Sequence, residues 1–162
     1  MRGNMTSEHK QQFTLRITQA NPTQLVVILY EMVICYLEDM EEAVRTQDAI
    51  MYHESARRCR GCLNELLLSL NLDYEPASQL QQLYFFCIRC LANAERRMAD
   101  EPLADVKRVI QPLHDAYRQI EDQNPKGPVM NNSQTVYAGL TYDRNSLTEN
   151  MADQGANRGM LV

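Results

Sequence analysis

The chain has 162 residues with 16 basic and 21 acidic side chains, and its formal net charge is −5 at pH 7. Its acidic balance, the absence of tryptophan and the scarcity of phenylalanine argue against a nucleic-acid partner, which needs basic patches and stacking aromatics. The length fits one domain with a tail, and the odd number of cysteines, five, favours free thiols in a reducing compartment over a disulfide framework.

Residues 1–20 are predicted to form an N-terminal arm. This segment is polar apart from Phe13, Leu15 and Ile17, whose alternate spacing indicates an extended conformation. It contains no basic stretch followed by an apolar core and a small-residue cleavage site, so we recognise no signal peptide. We therefore expect the protein to be cytoplasmic.

The first helix is predicted from Asn21 to about Thr46. Asn21 is a suitable N-terminal cap, Pro22 suits the first helical position, and Gln24 is placed to complete a capping box. These signals fix where the helix begins.

Residues 25–37 are apolar around most of a helical circumference, and Glu31 is the only charged side chain among them. Ile28 and Cys35 lie opposite the main apolar stripe, so this helix has two faces to bury. Either the helix is central in the fold, or its second face receives another molecule. A membrane span is not favoured, because the run is too short, contains Glu31 and is followed by acidic residues.

Three further helices are predicted over residues 48–70, 76–98 and 101–122. Pro112 lies inside the last of them, where we expect a kink. Short connections between helices of similar length favour an all-α, antiparallel up-down four-helix bundle over residues 21–122. Residues 123–162 are rich in Asn, Gly, Thr and Ser, which predicts a largely irregular, flexible C-terminal tail.

Two CxxC units, Cys59 with Cys62 and Cys87 with Cys90, are the sharpest apparent motif. Four-cysteine zinc sites use such units, and a hairpin that turns near Asp73 places the four thiols at one level. The units also lie in apolar helix seams, where cysteine packs as a small hydrophobic residue. We therefore predict core packing without metal or cofactor, and a small zinc-binding helical protein is the alternative.

His53 raises a second alternative, a histidine phosphotransfer module. Ala56 and Arg57 stand where such modules usually carry lysine and a small residue. The sequence has no nucleophile elbow, no glycine-rich phosphate loop and no paired carboxylates on one helix face. We therefore do not predict an enzyme.

The helices carry more apolar residues than single seams require. The excess residues form the predicted partner-binding surface, namely Ile28 and Cys35 on the first helix, Leu67 and Leu68 on the second, and Phe85, Phe86 and Ile88 on the third. A compact bundle that buries all of them is one interpretation. The other is a groove for a partner's amphipathic helix, covered by the arm residues Phe13, Leu15 and Ile17 in the absence of the partner.

Several segments resemble the FliS family of flagellar export chaperones. Residues 18–25, TQANPTQL, and the following LYE at 29–31 are similar to the family patterns TASPxEL and MLYDG. Residues 58–71 resemble RAQxIIxEL with SLD, and residues 80–94 resemble the LxxLY of the third helix. Met32 departs from the pattern, since the family has glycine there. The resemblance covers about residues 13–121.

This resemblance implies a cytoplasmic chaperone that binds the C-terminal segment of flagellin, prevents its premature polymerisation and delivers it to the flagellar export apparatus. It also implies that the arm plugs the binding groove, with Phe13 near the family's N-terminal tyrosine. A disordered client that folds on binding uses part of its interaction energy for ordering, so its receptor needs a long apolar track. The sequence leaves the oligomeric state open.

Overall fold

The computed structural model describes residues 5–123, which fold as helices joined by short connections and contain no β-strand. The helices are α1 Ser7–Gln19, α2 Pro22–Thr46, α3 Ala49–Ser69, α4 Glu75–Arg97 and α5 Glu101–Ile120, and a 3₁₀ turn at Glu121–Gln123 follows. The all-α prediction is confirmed for these residues. The predicted tail at 123–162 lies outside the described residues except for Gln123, which ends the 3₁₀ turn.

The start of α2 is fixed by the capping interactions that the sequence predicts. Asn21 Oδ1 accepts a hydrogen bond from the Gln24 backbone N–H at 2.8 Å, and Gln24 Oε1 accepts one from the Asn21 N–H at 3.0 Å. Pro22 occupies the first helical position, where no amide hydrogen is needed. The capping box is therefore confirmed.

Helix α2 is central to the packing. It packs most extensively against α3 and then α5, while α4 packs on α3 and α5. Tyr30 and Leu37 on the main stripe and Ile28 on the opposite face are each at most 2% exposed, while Cys35 on that opposite face is half-buried. Of the two explanations for its all-round apolar character, the structure supports a central position. Within residues 5–123, no helix combines the length and apolar content needed to cross a lipid bilayer.

Contacts between helices follow the order expected of antiparallel neighbours. The pairs that join α2 to α5 are Asn21 with Glu121, Glu31 with His114, and Glu41 with Lys107. Those that join α3 to α4 or to the residues just after it are Tyr52 with Ala99, and His53 and Arg60 with Glu95. In both sets the partner's number falls overall as the residue number rises. This packing is consistent with the predicted up-down bundle.

Tyr30 of α2 and Tyr84 of α4 meet in the core. Their hydroxyl groups share a hydrogen bond, and both residues are at most 1% exposed. The Tyr117 ring of α5 lies edge-on to Tyr30, with 5.7 Å between ring centroids. Burial raises the pKa of Tyr84 to about 12, so this hydroxyl keeps its proton at neutral pH. The tyrosine pair thus ties α2 to α4 through the centre of the fold.

Replacing Tyr84 by phenylalanine is expected to lower the free energy of unfolding by about 1–3 kcal/mol. The change removes one hydroxyl and leaves that of Tyr30 buried without its partner. Urea denaturation measures the effect, and the double variant with Tyr30→Phe is expected to lose less than the sum of the two single changes. A Tyr84→Phe protein as stable as the wild type would contradict this account.

The N-terminal arm is helical, so the predicted extended conformation is wrong. Thr6 Oγ1 accepts a hydrogen bond from the His9 backbone N–H at 3.3 Å and caps α1. Phe13 and Ile17 are four residues apart, which places them on one helix face, and both are buried. Leu15 points elsewhere and is 59% exposed. Three apolar residues at alternate positions were too short a pattern to separate a strand from a helix.

Pro112 lies inside α5, which continues to Ile120. A proline has no amide hydrogen, so one helical hydrogen bond is missing in this turn. Because α5 continues for eight residues beyond it, Pro112 does not end the helix. The kink expected from the sequence stays a prediction.

Candidate partner-binding surface

The residues predicted to bind a partner differ widely in exposure. Leu68 is 80% exposed, Phe85 45% and Phe86 37%. Cys35, Leu67 and Ile88 are half-buried and pack against the core. Ile28 is only 2% exposed, because α2 is central and its second face is used within the fold. A partner reaches Ile28 only if a helix moves, whereas Leu68, Phe85 and Phe86 are accessible at once.

A groove of about 420 Å³ lies between α2 and α5, and α1 forms one of its walls. The residues that line it include Phe13 and Arg16 of α1, Ile34 and Cys35 of α2, and His114 of α5. Phe13 and Ile17 are 8% and 2% exposed, so α1 hides apolar surface against the rest of the protein. The predicted covering residues thus divide, since Phe13 and Ile17 face inward and Leu15 faces solvent.

A second groove, of about 360 Å³, lies between α2 and α3 on the other side of α2. Met5, just before α1, lines this groove, and its backbone N–H donates to Asp39 Oδ2 at 3.2 Å. Ile50 and Met51 of α3 contribute apolar side chains. The N-terminal segment therefore lines part of each of these two grooves.

Glu31, the one charged residue in the apolar run of α2, joins three helices. Its carboxylate accepts a hydrogen bond from Arg16 of α1, and its Oε1 atom lies 3.3 Å from His114 Nε2 of α5. His114 Nδ1 lies 3.1 Å from Asp115 Oδ1. We call Arg16, Glu31 and His114 the polar latch, because together they connect α1 to the wall of the α2–α5 groove.

The latch keeps the Glu31 carboxylate charged. Burial raises the pKa of this carboxyl, but the hydrogen bonds and opposite charge of Arg16, together with His114, outweigh burial and leave the pKa below its ordinary value. A group whose folded-state pKa is lowered stabilises the fold above its ordinary pKa, and this stabilisation is lost as the pH falls through the lowered value. The attachment of α1 is therefore expected to weaken in acid, below the usual range of carboxyl pKa values.

Replacing Glu31 by glutamine is expected to speed hydrogen exchange of the α1 amides by roughly two- to fivefold. Arg16 is partly exposed, so solvent screens its pair with Glu31 and limits the loss to about 0.5–1 kcal/mol. Hydrogen exchange followed by mass spectrometry resolves the segment.

The matched control is Glu42→Gln, which removes an ion pair with Arg45 within α2. This control should leave exchange in α1 unchanged. Equal exchange in α1 for Glu31→Gln and the wild type would show that the latch does not hold α1.

Arg16 and His114 are the site residues that sequence reasoning missed. The His114 side chain is only 10% exposed. The sequence signal that pointed to such residues was Glu31, because a carboxylate within an apolar run requires a polar partner. Its partners lie 15 and 83 positions away in the chain, and the period of α2 gives no means of naming them.

The four cysteines of the CxxC units lie in or beside the core. Cys59, Cys62 and Cys87 are fully buried, and Cys90 is half-buried. Among residues 5–123, no three His, Cys, Asp or Glu side chains are arranged to hold a metal ion. Burial raises the pKa of the Cys87 thiol to about 12, so this thiol is protonated at neutral pH in the metal-free protein. The zinc alternative therefore finds no support in the described part of the chain.

His53 lies on the surface near the start of α3. Its side chain is 57% exposed, and its Nδ1 atom is 3.9 Å from Glu95 Oε1. The Tyr52 ring stands edge-on to it, with 5.7 Å between ring centroids. Phosphotransfer at His53 therefore stays a prediction.

Comparison with known proteins gives two findings. A family model described as "Flagellar protein FliS" matches residues 5–124 of this chain. The chain is also 22% identical over 103 residues to the "Flagellar secretion chaperone FliS" of Bacillus subtilis (strain 168). That match covers 64% of this chain and 77% of the relative.

Proposed function

The chain belongs to the FliS family of flagellar proteins, and on this basis we propose that it is a cytoplasmic secretion chaperone for flagellin. In this proposal it binds the C-terminal segment of flagellin, prevents premature polymerisation and delivers the segment to the flagellar export apparatus. It acts by binding and release, not as an enzyme. The framework is an antiparallel up-down bundle formed by α2 to α5, which the pairing of these helices favours.

The observation that carries the proposal is apolar surface of two kinds. Leu68 of α3 and the adjacent Phe85 and Phe86 of α4 are large apolar side chains that are exposed in the free protein. A further apolar surface lies under α1, where Phe13 and Ile17 pack. A client that folds on binding needs such an extended apolar track.

Helix α1 is suited to leave when a client arrives. It packs on the rest of the protein more sparsely than the other helices do, and the partly exposed latch forms part of its polar attachment. An amphipathic helix of the client can replace Phe13 and Ile17 with its own apolar residues, so the exchange conserves most of the buried area. We propose that α1 covers the α2–α5 groove and that Ile34, Cys35 and, after rearrangement, Ile28 then contact the client.

Calorimetry with flagellin from the same organism tests the proposal. We expect a one-to-one complex with flagellin and none with flagellin that lacks its C-terminal segment. Hydrogen exchange in α1 should rise when the complex forms, because α1 leaves the groove. Absence of binding, or equal binding of the truncated flagellin, would overturn the proposed function.

A further inference from the structure

The outward face of α4 carries two aromatic and three basic side chains in one line. Phe85, Phe86, Arg89, Arg96 and Arg97 are all exposed. Their spacing of three, four and seven residues places them along one side of the helix. We call these five residues the aromatic–arginine stripe.

All charges on the stripe are positive, although the whole chain has a net charge of −5. Within α4 the acidic residues are Glu75, in the first turn, and Glu95. Glu95 lies off the stripe and pairs with Arg60 of α3. In the part of the chain that the structure describes, no carboxylate forms an ion pair with a stripe arginine. The stripe is thus a basic line on an acidic protein.

Helix stability explains only part of this pattern. Arg96 and Arg97 lie in the last turn of α4, where cations interact favourably with the helix dipole. Arg89 lies mid-helix, one turn after Phe85 and Phe86, where the dipole gives it no such role. Exposed phenylalanine next to arginine is instead the composition of binding hot spots.

We propose that the stripe binds an acidic amphipathic helix in the flagellin segment. The inference rests on the proposed function and specifies the client's chemistry. Apolar anchors of that helix pack on Phe85 and Phe86, and its carboxylates meet Arg89 and Arg96. These arginines lie up to about 15 Å further along α4, at a rise of about 1.5 Å per residue. The helix therefore carries its carboxylates within two to three turns of its anchors, all on one side of them along the helix.

This charge arrangement gives orientation and salt dependence as well as affinity. A basic line that begins at an aromatic pair accepts an acidic helix in one direction only, because the reverse orientation places carboxylates on phenylalanine. Exposed charge pairs are screened by salt over a Debye length of about 8 Å at physiological ionic strength. Binding through the stripe is therefore expected to weaken as salt rises.

Three synthetic peptides test the inference. They share the same apolar anchors and carry glutamate, glutamine or lysine at the polar positions. Fluorescence anisotropy with the full chain should show the glutamate peptide binding at least tenfold more tightly than the glutamine peptide at low salt, and the lysine peptide most weakly. Equal affinity of the glutamate and glutamine peptides would overturn the inference.

The key variant is Arg89→Glu, and the matched control is Arg57→Glu. Arg57 is exposed on α3, as Arg89 is on α4. The substitution is the same at both positions, so both variants change the net charge equally. Arg89→Glu should lower the affinity of the glutamate peptide at least tenfold and that of the glutamine peptide less than twofold. Arg57→Glu should lower the affinity of the glutamate peptide less than threefold. Arg89→Gln, a milder change, should fall between them. Equal effects of the changes at 89 and 57 would show that only net charge matters and would overturn the inference.

Flagellin itself separates this inference from the proposed function. If flagellin binds wild type and Arg89→Glu equally, the inference fails while the proposed function stands. If flagellin does not bind, but the glutamate peptide binds in an Arg89-dependent way, the proposed function fails while the stripe remains an acidic-helix site. If Arg89→Glu weakens the binding of both flagellin and the glutamate peptide, the inference and the proposed function are both supported.

Discussion

Replacing Leu63 by alanine is expected to lower the free energy of unfolding by about 2–5 kcal/mol. Leu63 is 0% exposed on the core face of α3, in the seam against the central helix α2. Truncation removes buried apolar surface and leaves a cavity that the surrounding helices fill only in part. Urea denaturation with an unchanged m-value would assign the loss to the folded core.

Leu68→Ala provides the matched control for this prediction. It is the same substitution in the same helix, but Leu68 is 80% exposed. We expect its stability to stay within about 0.5 kcal/mol of the wild type. Any loss of flagellin binding by this variant then reports on a contact and not on folding. Equal destabilisation by the two changes would mean that α3 does not present these residues to core and solvent as described.

The features of the fold that could be predicted from sequence are those that depend on neighbouring residues. The capping box of Asn21 and Gln24 forms within one turn, and its chemistry can be read from four consecutive residues. The long apolar repeats of α2 to α5 likewise gave their extents closely. The arm was predicted to be extended because Phe13, Leu15 and Ile17 follow the two-residue period of a strand. Phe13 and Ile17 alone also fit one face of a helix, and only tertiary packing shows that these two share the buried face.

The candidate surface was harder to predict because exposure depends on helix order in space. Ile28 and Leu68 both lie off the main seam of a helix, yet one is 2% and the other 80% exposed. The difference arises because α2 packs against three of the described helices, α3, α5 and α1, whereas α3 packs against two, α2 and α4. The sequence pattern indicated more apolar residues than the helix seams need, but it did not indicate which of them lie in the core and which at the surface.

The register of α3 against α4 is close to that of a hairpin that turns near Asp73. Such a hairpin places His53 opposite about residue 94, and His53 Nδ1 lies 3.9 Å from Glu95 Oε1. It also brings Cys59 near Cys87, and burial, followed by the neighbouring Cys62 and Cys87 thiols, raises the pKa of the Cys59 thiol. The spacing of the cysteines and the position of the turn were therefore enough to predict that cysteines of the two CxxC units lie near each other.

Replacing Phe85 and Phe86 together by alanine is expected to raise the dissociation constant of the flagellin complex at least about 30-fold, which corresponds to about 2 kcal/mol. Both side chains are substantially exposed in the free protein, so they contribute more to a complex that buries them than to the fold. Calorimetry measures the affinity, and urea denaturation establishes that the variant is folded.

Ile120→Ala is the control for the phenylalanine pair. Ile120 is 46% exposed, close to the 45% of Phe85, but it lies at the end of α5 and outside the predicted binding surface. Truncating it should change the affinity less than threefold. If the double variant binds flagellin as tightly as the wild type, the exposed aromatic pair is not the anchor of the complex. The client would then depend on the surface beneath α1, and Glu31→Gln, which loosens α1, would be expected to tighten flagellin binding.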